Sequence, residues 1–355
     1  NINTKFDLDE HGQPYSKLMV MFIILLATFS GALMQTSLGT ALPTLMRDFH
    51  IDFSTAQQAT AWFLLANGIM IPLSAYLATR VSTKWLHVIA YAILLIGLIL
   101  TAIAPSKHDS WIIFLAGRIV TAIAVGLMMP LMQIIIINMF PPNKRGTAMG
   151  LSGLAVGLAP ALGPIFAGWI LDKDHVIFGL IITDSWRNIF VIPIIIVTIA
   201  FVLSFFFMKD VIPNRKIKLD ILSLILSCIG FGLFLWSFSN VSSEGWGSFN
   251  YVIFPLVISL FIISWFCIRQ FKLKDPFLNL RVFKSKGFII ATLSLIVVTM
   301  AMYGVEMMLP TYLQNIHGFS PFESGLTLLA SALMLGIISP ISGTLYNKIG
   351  IKRLA

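Results

Sequence analysis

The stretch GLAPALGPIFAG, Gly157 to Gly168, decides how this chain reads. It lies in a longer run, Thr147 to Leu171, without a charged residue. Six small residues (Gly157, Ala159, Ala161, Gly163, Ala167, Gly168) alternate there with two prolines, Pro160 and Pro164. In a soluble helix an interior proline costs roughly 3 kcal/mol and a glycine about 1. An apolar helix that accepts so many breakers needs close neighbours that use the small residues and supply the hydrogen bonds the prolines remove.

Composition says where such neighbours are found. Of 355 residues, 57% are hydrophobic and 11% charged, against about 25% charged in soluble domains. The uncharged runs have the length of membrane spans: Ile189 to Met208 and Leu18 to Met46 each reach the roughly 20 residues that cross about 30 Å of hydrocarbon as a helix. Ten spans are expected, at 18–46, 56–79, 85–105, 111–139, 147–171, 188–208, 221–243, 249–268, 287–316 and 324–346. The fold class is therefore all-α integral membrane. Trp85, Trp111, Trp169 and Trp186 fall near span ends, where half-polar indoles are favoured; Trp62, Trp236 and Trp265 read as packing residues inside spans.

Lysine and arginine orient the chain. With the N-terminus inside, inner segments hold 19 of the 24, the bias that keeps positive loops cytoplasmic. The net charge of +9 then belongs to loops beside lipid and calls for no nucleic acid. Residues 1–17 are polar and read as a cytoplasmic tail rather than a cleaved leader. Cys228 and Cys267 lie within spans, with no disulfide framework or metal spacing. The chain begins without methionine and stops at Ala355, just after a span; the expectation is a piece of a longer protein.

One internal repeat is visible. Leu42-Pro43-Thr44 recurs as Leu309-Pro310-Thr311 and His50 as His317, while AYLATRVSTK (75–84) parallels GTLYNKIGIK (343–352). Repeated bundles with a substrate site at their interface are a common plan for transporters. The offset leaves room for two extra helices between bundles. The organisation expected is a tail (1–17), a six-helix bundle (18–208), a linker with two inserted helices (209–286) and the start of a second bundle (287–355).

These residues resemble the major facilitator superfamily, in its fourteen-helix drug:proton antiporter branch. SAYLATRVSTKW is similar to that family's G-x-L-a-D-r-x-G-r-k inner-loop motif, with Ala75, Thr79 and Ser82 replacing Gly, Asp and Gly while Arg80 and Lys84 fit. GRIVTAIAVGLMMP resembles the fourth-helix motif, with Arg118 as its arginine. Gly150, Ala159, Gly163, Pro164, Ala167 and Gly168 match the spacing of the fifth-helix antiporter motif. SWRNIFVIP (185–193) and DPFLNLRVF (275–283) also resemble that branch. The resemblance implies that the small face of the fifth span, with Gly150, Ala159, Gly163, Pro164 and Gly168, seals as a gate against the other half. As a static packing face it would use the same residues, since small residues let helices meet in lipid. Arg80, Lys84 and their repeat partners Lys348 and Lys352 are read as a cytoplasmic-loop gate.

Two charges lie well inside spans, Arg118 and Glu306. Such groups cost a few kcal/mol or more and are functional candidates by default. For Arg118 the resemblance implies proton coupling; the structural alternative is an anchor for a carboxylate or for helix-end carbonyls. Glu306 is either a coupling carboxylate facing the cavity and Arg118, or a structural buried carboxylate or outer-mouth residue. Many members of the branch carry an acid in the first helix where this chain has Met34, followed by Gln35 and Thr36; these two enter the expected proton and substrate pathway with Glu306. By the repeat, Glu306 corresponds to Gly39.

No enzyme constellation is present. The six histidines are scattered, and no zinc-protease helix, phosphate loop or nucleophile elbow occurs. The function expected is export of amphipathic drugs across the cytoplasmic membrane in exchange for protons by alternating access, by a monomer, with no cofactor but the proton gradient and no metal. Met34, Met128, Met129, Met300, Met302, Met307 and Met308 are candidates to line the cavity, and at least half of them are expected to be ordinary lipid-facing or packing methionines. A selective carrier of a metabolite, lipid or ion, and a non-transporting sensor or scaffold, remain as alternatives.

Overall fold

A computed structural model describes residues 8–213, 220–331, 333–334 and 338. Most of the expected tenth span, and with it Lys348 and Lys352, lies outside the described residues. Among the described residues nine helices are long and apolar enough to cross a membrane. Helices dominate because hydrocarbon offers backbone groups no partner outside their own segment.

The first span is two helices, α1 (Lys17–Thr36) and α2 (Leu38–Phe49), divided at Ser37. Then come α3 (Phe53–Arg80), α4 (Thr83–Ile103), α5 (Trp111–Met139), α6 (Pro142–Asp172) and α7 (Asn188–Phe207). Side-chain oxygens start several of them: Ser16 accepts from the Met19 amide, Asp52 from Thr55 and Ser82 from Trp85, each satisfying a donor that a helix start leaves free. Helices α1 to α7 pack around one core. Small residues set the spacing where α4 crosses α5: a Cβ on Gly97 would stand 2.5 Å from the Thr121 amide nitrogen, and one on Gly117 2.6 Å from that of Thr101. Only glycine fits there.

The end bearing the N-terminal tail is called the tail end here, and the other the distal end. At the distal end Phe49, Trp111, Phe114, Trp186 and Phe190 form an aromatic knot. Trp111 and Trp186 are thus buried rather than interfacial, and Trp236 and Trp265 are exposed rather than packed inside. Mutual ring packing covers the first pair more completely than a lipid interface would.

Beyond α7, α8 (Ile221–Ser239) and α10 (Phe254–Lys272) pair and rest on α3. Short α9 (Val241–Glu244) and a π turn (Phe249–Ile253) join them. Asp220 starts α8 and holds Arg269 of α10 by two hydrogen bonds of 2.9 and 3.0 Å. Helix α11 (Lys286–His317) follows, then α12 over 321–331. The distal loop between α6 and α7 adds strand β1 (His175–Ile177) to the all-α expectation, paired antiparallel with β2 (Leu180–Ile182). Phe178 and Gly179, both at positive φ, make its two-residue turn.

Candidate substrate and proton site

The repeat read from the sequence becomes a contact in space. Gln35 Nε2 donates to Tyr303 Oη at 2.7 Å, one place from an exact match at the repeat's offset of 267. A Cβ on Gly39 would lie 2.7 Å from the Glu306 carbonyl oxygen, and these differ by 267. Residues at matching places in two repeats meet when a two-fold axis runs between their helices. Here that axis lies between the first span and α11. Further toward the distal end, Gln314 Nε2 donates to the Thr40 carbonyl at 3.0 Å and to Ser324 Oγ at 2.8 Å. The distal halves of the repeats are therefore latched together.

Within this seam, Gln35, Thr36, Gly39, Thr60, Tyr303, Glu306 and Met307 enclose a cavity of about 10 Å³, the size of about one water. Glu306 is the only carboxyl well inside a span among the described residues. It lies 11 residues before the end of α11, about 16 Å at 1.5 Å per residue, close to mid-depth of a bilayer. Among the described residues its carboxyl makes no hydrogen bond or ion pair. Gln35, Thr36 and Glu306, named from the sequence, come together; Thr60 and Tyr303, which complete the wall, were missed. Tyr303 was open to discovery through the repeat, since the 267 offset pairs it with Thr36, the neighbour of Gln35.

Arg118 is elsewhere. It is fully buried on α5, its Nη1 donates to the Met34 carbonyl at 2.9 Å, and its guanidinium lies 4.2 Å from the centre of the Phe63 ring. Among the described residues Nε and Nη2 have no hydrogen-bond partner. The expected pairing of Arg118 with Glu306 does not form: the arginine grips α1 through Met34, and the acid meets α1 one and two residues later, at Gln35 and Thr36. The carbonyl anchor is the arrangement observed. Where relatives by resemblance place an acid, this chain gives the arginine a backbone oxygen.

Helix α6 answers the opening question. Pro164 has no amide hydrogen, so the Pro160 carbonyl loses its helical donor; Thr36 Oγ1 donates to that carbonyl at 2.8 Å. Gly163 sits beside it, where a Cβ would lie 2.9 Å from the Leu33 carbonyl and 3.0 Å from the Ser37 amide nitrogen. On the same helix a Cβ at Gly168 would meet Phe322 Cα at 2.9 Å, and one at Gly325 of α12 would meet the Pro164 carbonyl at 2.6 Å. Ala159 and Pro164 are buried, and Gly150 lies in the same helix toward the tail end. Thus α6 touches both the first span and the second repeat.

At the tail end, Arg80 is exposed and ends α3, and the Lys84 amide donates to Asp210 Oδ1 at 3.0 Å. Ser82 Oγ donates to the same oxygen at 2.5 Å, and His11 Nε2 approaches Oδ2 at 3.3 Å. Partial burial works against the Asp210 charge, but these hydrogen bonds outweigh it and hold the carboxyl below the usual carboxylate range. Thr79, in the place of the motif's aspartate, instead bonds back to the Tyr76 carbonyl. Asp210, distant in sequence, was missed. Of the candidate methionines, Met307 lines the cavity; Met34 and Met128 are core, Met129 packs against it, and Met300, Met302 and Met308 are exposed, so most are the packing or outward-facing residues expected.

Comparison with known proteins adds lineage. The family model described as Major Facilitator Superfamily matches residues 24–355. The chain is 38% identical over 343 residues to an uncharacterized MFS-type transporter, YcnB, of Bacillus subtilis, covering 97% of this chain and 70% of that protein. It is 37% identical to the lincomycin resistance protein LmrB of Bacillus subtilis, covering 96% and 69%. To the multidrug export protein EmrB of Escherichia coli it is 28% identical, covering 96% and 64%. The chain thus spans about two thirds of these relatives' length. Among solved structures, a POT family transporter in complex with a thioalcohol-conjugated peptide aligns with a TM-score of 0.61 at 15% identity, over 98% of this chain and 74% of that one. The proton:xylose symporter XylE aligns at 0.57 and 14%, over 94% and 69%. At such identities they show the fold alone.

Proposed function

The chain belongs to the Major Facilitator Superfamily, and from that premise we propose that it exports amphipathic drugs in exchange for protons by alternating access. The observation that carries this reading is the seam between the repeats. The one carboxyl well inside the described spans stands there near mid-depth, walled by Gln35, Thr36, Thr60 and Tyr303. Substrate and coupling-ion sites of such transporters lie near the midplane at the repeat interface. The names of LmrB and EmrB support drugs as cargo.

In this reading the tail end is cytoplasmic, as the lysines and arginines favour, and the protein works as a monomer. Residues 18–208 form one bundle, α8 and α10 are the inserted pair, and 287–355 open the second bundle. A charged Glu306 carboxylate favours a seam opened to water. Taking up a proton removes the cost of enclosing that charge, so the distal ends can close as they do here. Arg118 contributes by holding α1 at Met34, which fixes where Gln35 and Thr36 present themselves. The 10 Å³ cavity is far below the roughly 300 Å³ a drug-sized ligand needs, so cargo enters only after the repeats part.

The test is uptake of an amphipathic cation into proteoliposomes holding the full-length protein, with an imposed pH gradient. Accumulation that a protonophore abolishes, for chemically unrelated cations, is expected. Accumulation of one compound alone would favour a selective carrier; none at all would favour a sensor or scaffold.

A further inference from the structure

A second cavity lies away from the seam. It measures about 280 Å³, and its walls include Leu64, Gly68 and Pro72 of α3, Phe231 of α8, Phe266 of α10 and Phe277 of the loop after α10. Ser227 supplies the polar group on the α8 wall. Phe266 is six residues from the tail end of α10, about 9 Å at 1.5 Å per residue, so the pocket opens at the depth of the tail-side leaflet's acyl chains. The loop that closes it is fixed in place: the Leu278 amide donates to Gln270 Oε1 at 3.0 Å, and Gln270 Nε2 donates to Ser223 Oγ at 2.6 Å.

We infer that this pocket holds an acyl chain of an anionic phospholipid, wedged between the first bundle and the α8–α10 pair. Three observations select that occupant. The lining is apolar and sits in hydrocarbon, where lipid tails are the neighbours at hand. The volume falls below the roughly 300–1,000 Å³ of drug-sized sites and suits a narrow chain. The segment that closes the pocket through Phe277 and Leu278, residues 269–286, carries six basic side chains (Arg269, Lys272, Lys274, Arg281, Lys284, Lys286) against a single acid, Asp275. Arg269 is committed to Asp220, and Arg281 to the Phe271 and Leu273 carbonyls. Lys272, Lys274, Lys284 and Lys286 are exposed between the end of α10 and the start of α11, and basic segments beside span ends attract anionic lipid.

Gly68 provides the test. A Cβ there would have no neighbour within 4 Å, so Gly68→Phe fills the pocket without forcing the backbone aside. Native mass spectrometry of the detergent-purified full-length protein, with phosphatidylglycerol or phosphatidylcholine added, reads retained lipid. Wild type is expected to keep phosphatidylglycerol in preference to phosphatidylcholine. Gly68→Phe should hold it about tenfold more weakly, the effect of about two methylenes turned out of an apolar site. Lys272→Gln with Lys274→Gln and Lys284→Gln should keep a lipid but lose the headgroup preference. Equal retention by Gly68→Phe and wild type, or no preference in wild type, would overturn the proposal. If Gly68→Phe fails to fold, a phosphatidylglycerol with a photoreactive group in mid-chain decides on the wild type. Labelling concentrated on α3, α8 and α10 at this pocket is expected. Labelling spread evenly over lipid-facing helices, or lost when an amphipathic cation is added, would refute it.

Discussion

Thr36 is the residue that lets α6 carry its prolines. Its hydroxyl replaces the donor that Pro164 denies to the Pro160 carbonyl. Thr36→Val keeps the shape and removes the donor, leaving a part-buried carbonyl unpaired at a cost of about 1–3 kcal/mol. Thermal unfolding of purified protein should show a lower midpoint for Thr36→Val and one near wild type for Thr36→Ser; equal midpoints for all three would contradict the assignment. Gly163 makes a different demand, closeness rather than a hydrogen bond. Gly163→Leu should insert normally and transport nothing, because the side chain would force α6 off α1 at Leu33 and Ser37. Vesicle transport at wild-type rate would show that the contact is dispensable. The small residues and prolines were legible because their pattern is local. The role of Thr36 was not, since nothing in one helix's sequence tells which residue of another lies across from it.

Between helices, capping decides how segments begin and how the tail end is held. Asp210 fastens the loop after α7 to the start of α4 through Ser82 and the Lys84 amide, and to the N-terminal tail through His11. Its carboxyl is held below the ordinary value of about 3.9. The stabilisation is therefore complete above about pH 4 and is lost as pH falls through the lower, folded value. Asp210→Ala removes it at every pH. Losing such a cap costs about 1 kcal/mol, and hydrogen exchange at the amides of 84–86 should quicken by roughly fivefold at pH 7. Unchanged exchange would show that Ser82 suffices alone. Spans were readable to within a few residues from apolar length, and Ser16, Asp52 and Ser82 announce their helices. The cap from Asp210 was hidden by a separation of more than 120 residues. The split at Ser37 and the β1–β2 hairpin were hidden because apolar length says nothing of breaks inside a span or of pairing in a loop.

Across the whole molecule, the repeat is what ties sequence to function. The repeat places Glu306 opposite Gly39, and the two are neighbours in space, with Gln35 bonded to Tyr303 beside them. The sequence thereby located the seam and its acid, yet paired that acid with Arg118, which α1 engages through the Met34 carbonyl instead. Two buried charges invite pairing on paper; which face of each helix they occupy depends on packing that charge alone does not report. In the proposed function Glu306 carries the coupled proton. Glu306→Gln keeps the size and hydrogen-bonding capacity of a protonated carboxyl and cannot release a proton. Full-length wild type and Glu306→Gln in proteoliposomes should therefore be compared for drug accumulation driven by a pH gradient and for drug exchange at equal pH on both sides. Glu306→Gln is expected to exchange drug at a rate near wild type and to accumulate none against a gradient. Undiminished gradient-driven accumulation by Glu306→Gln would contradict it and place the proton site on another residue.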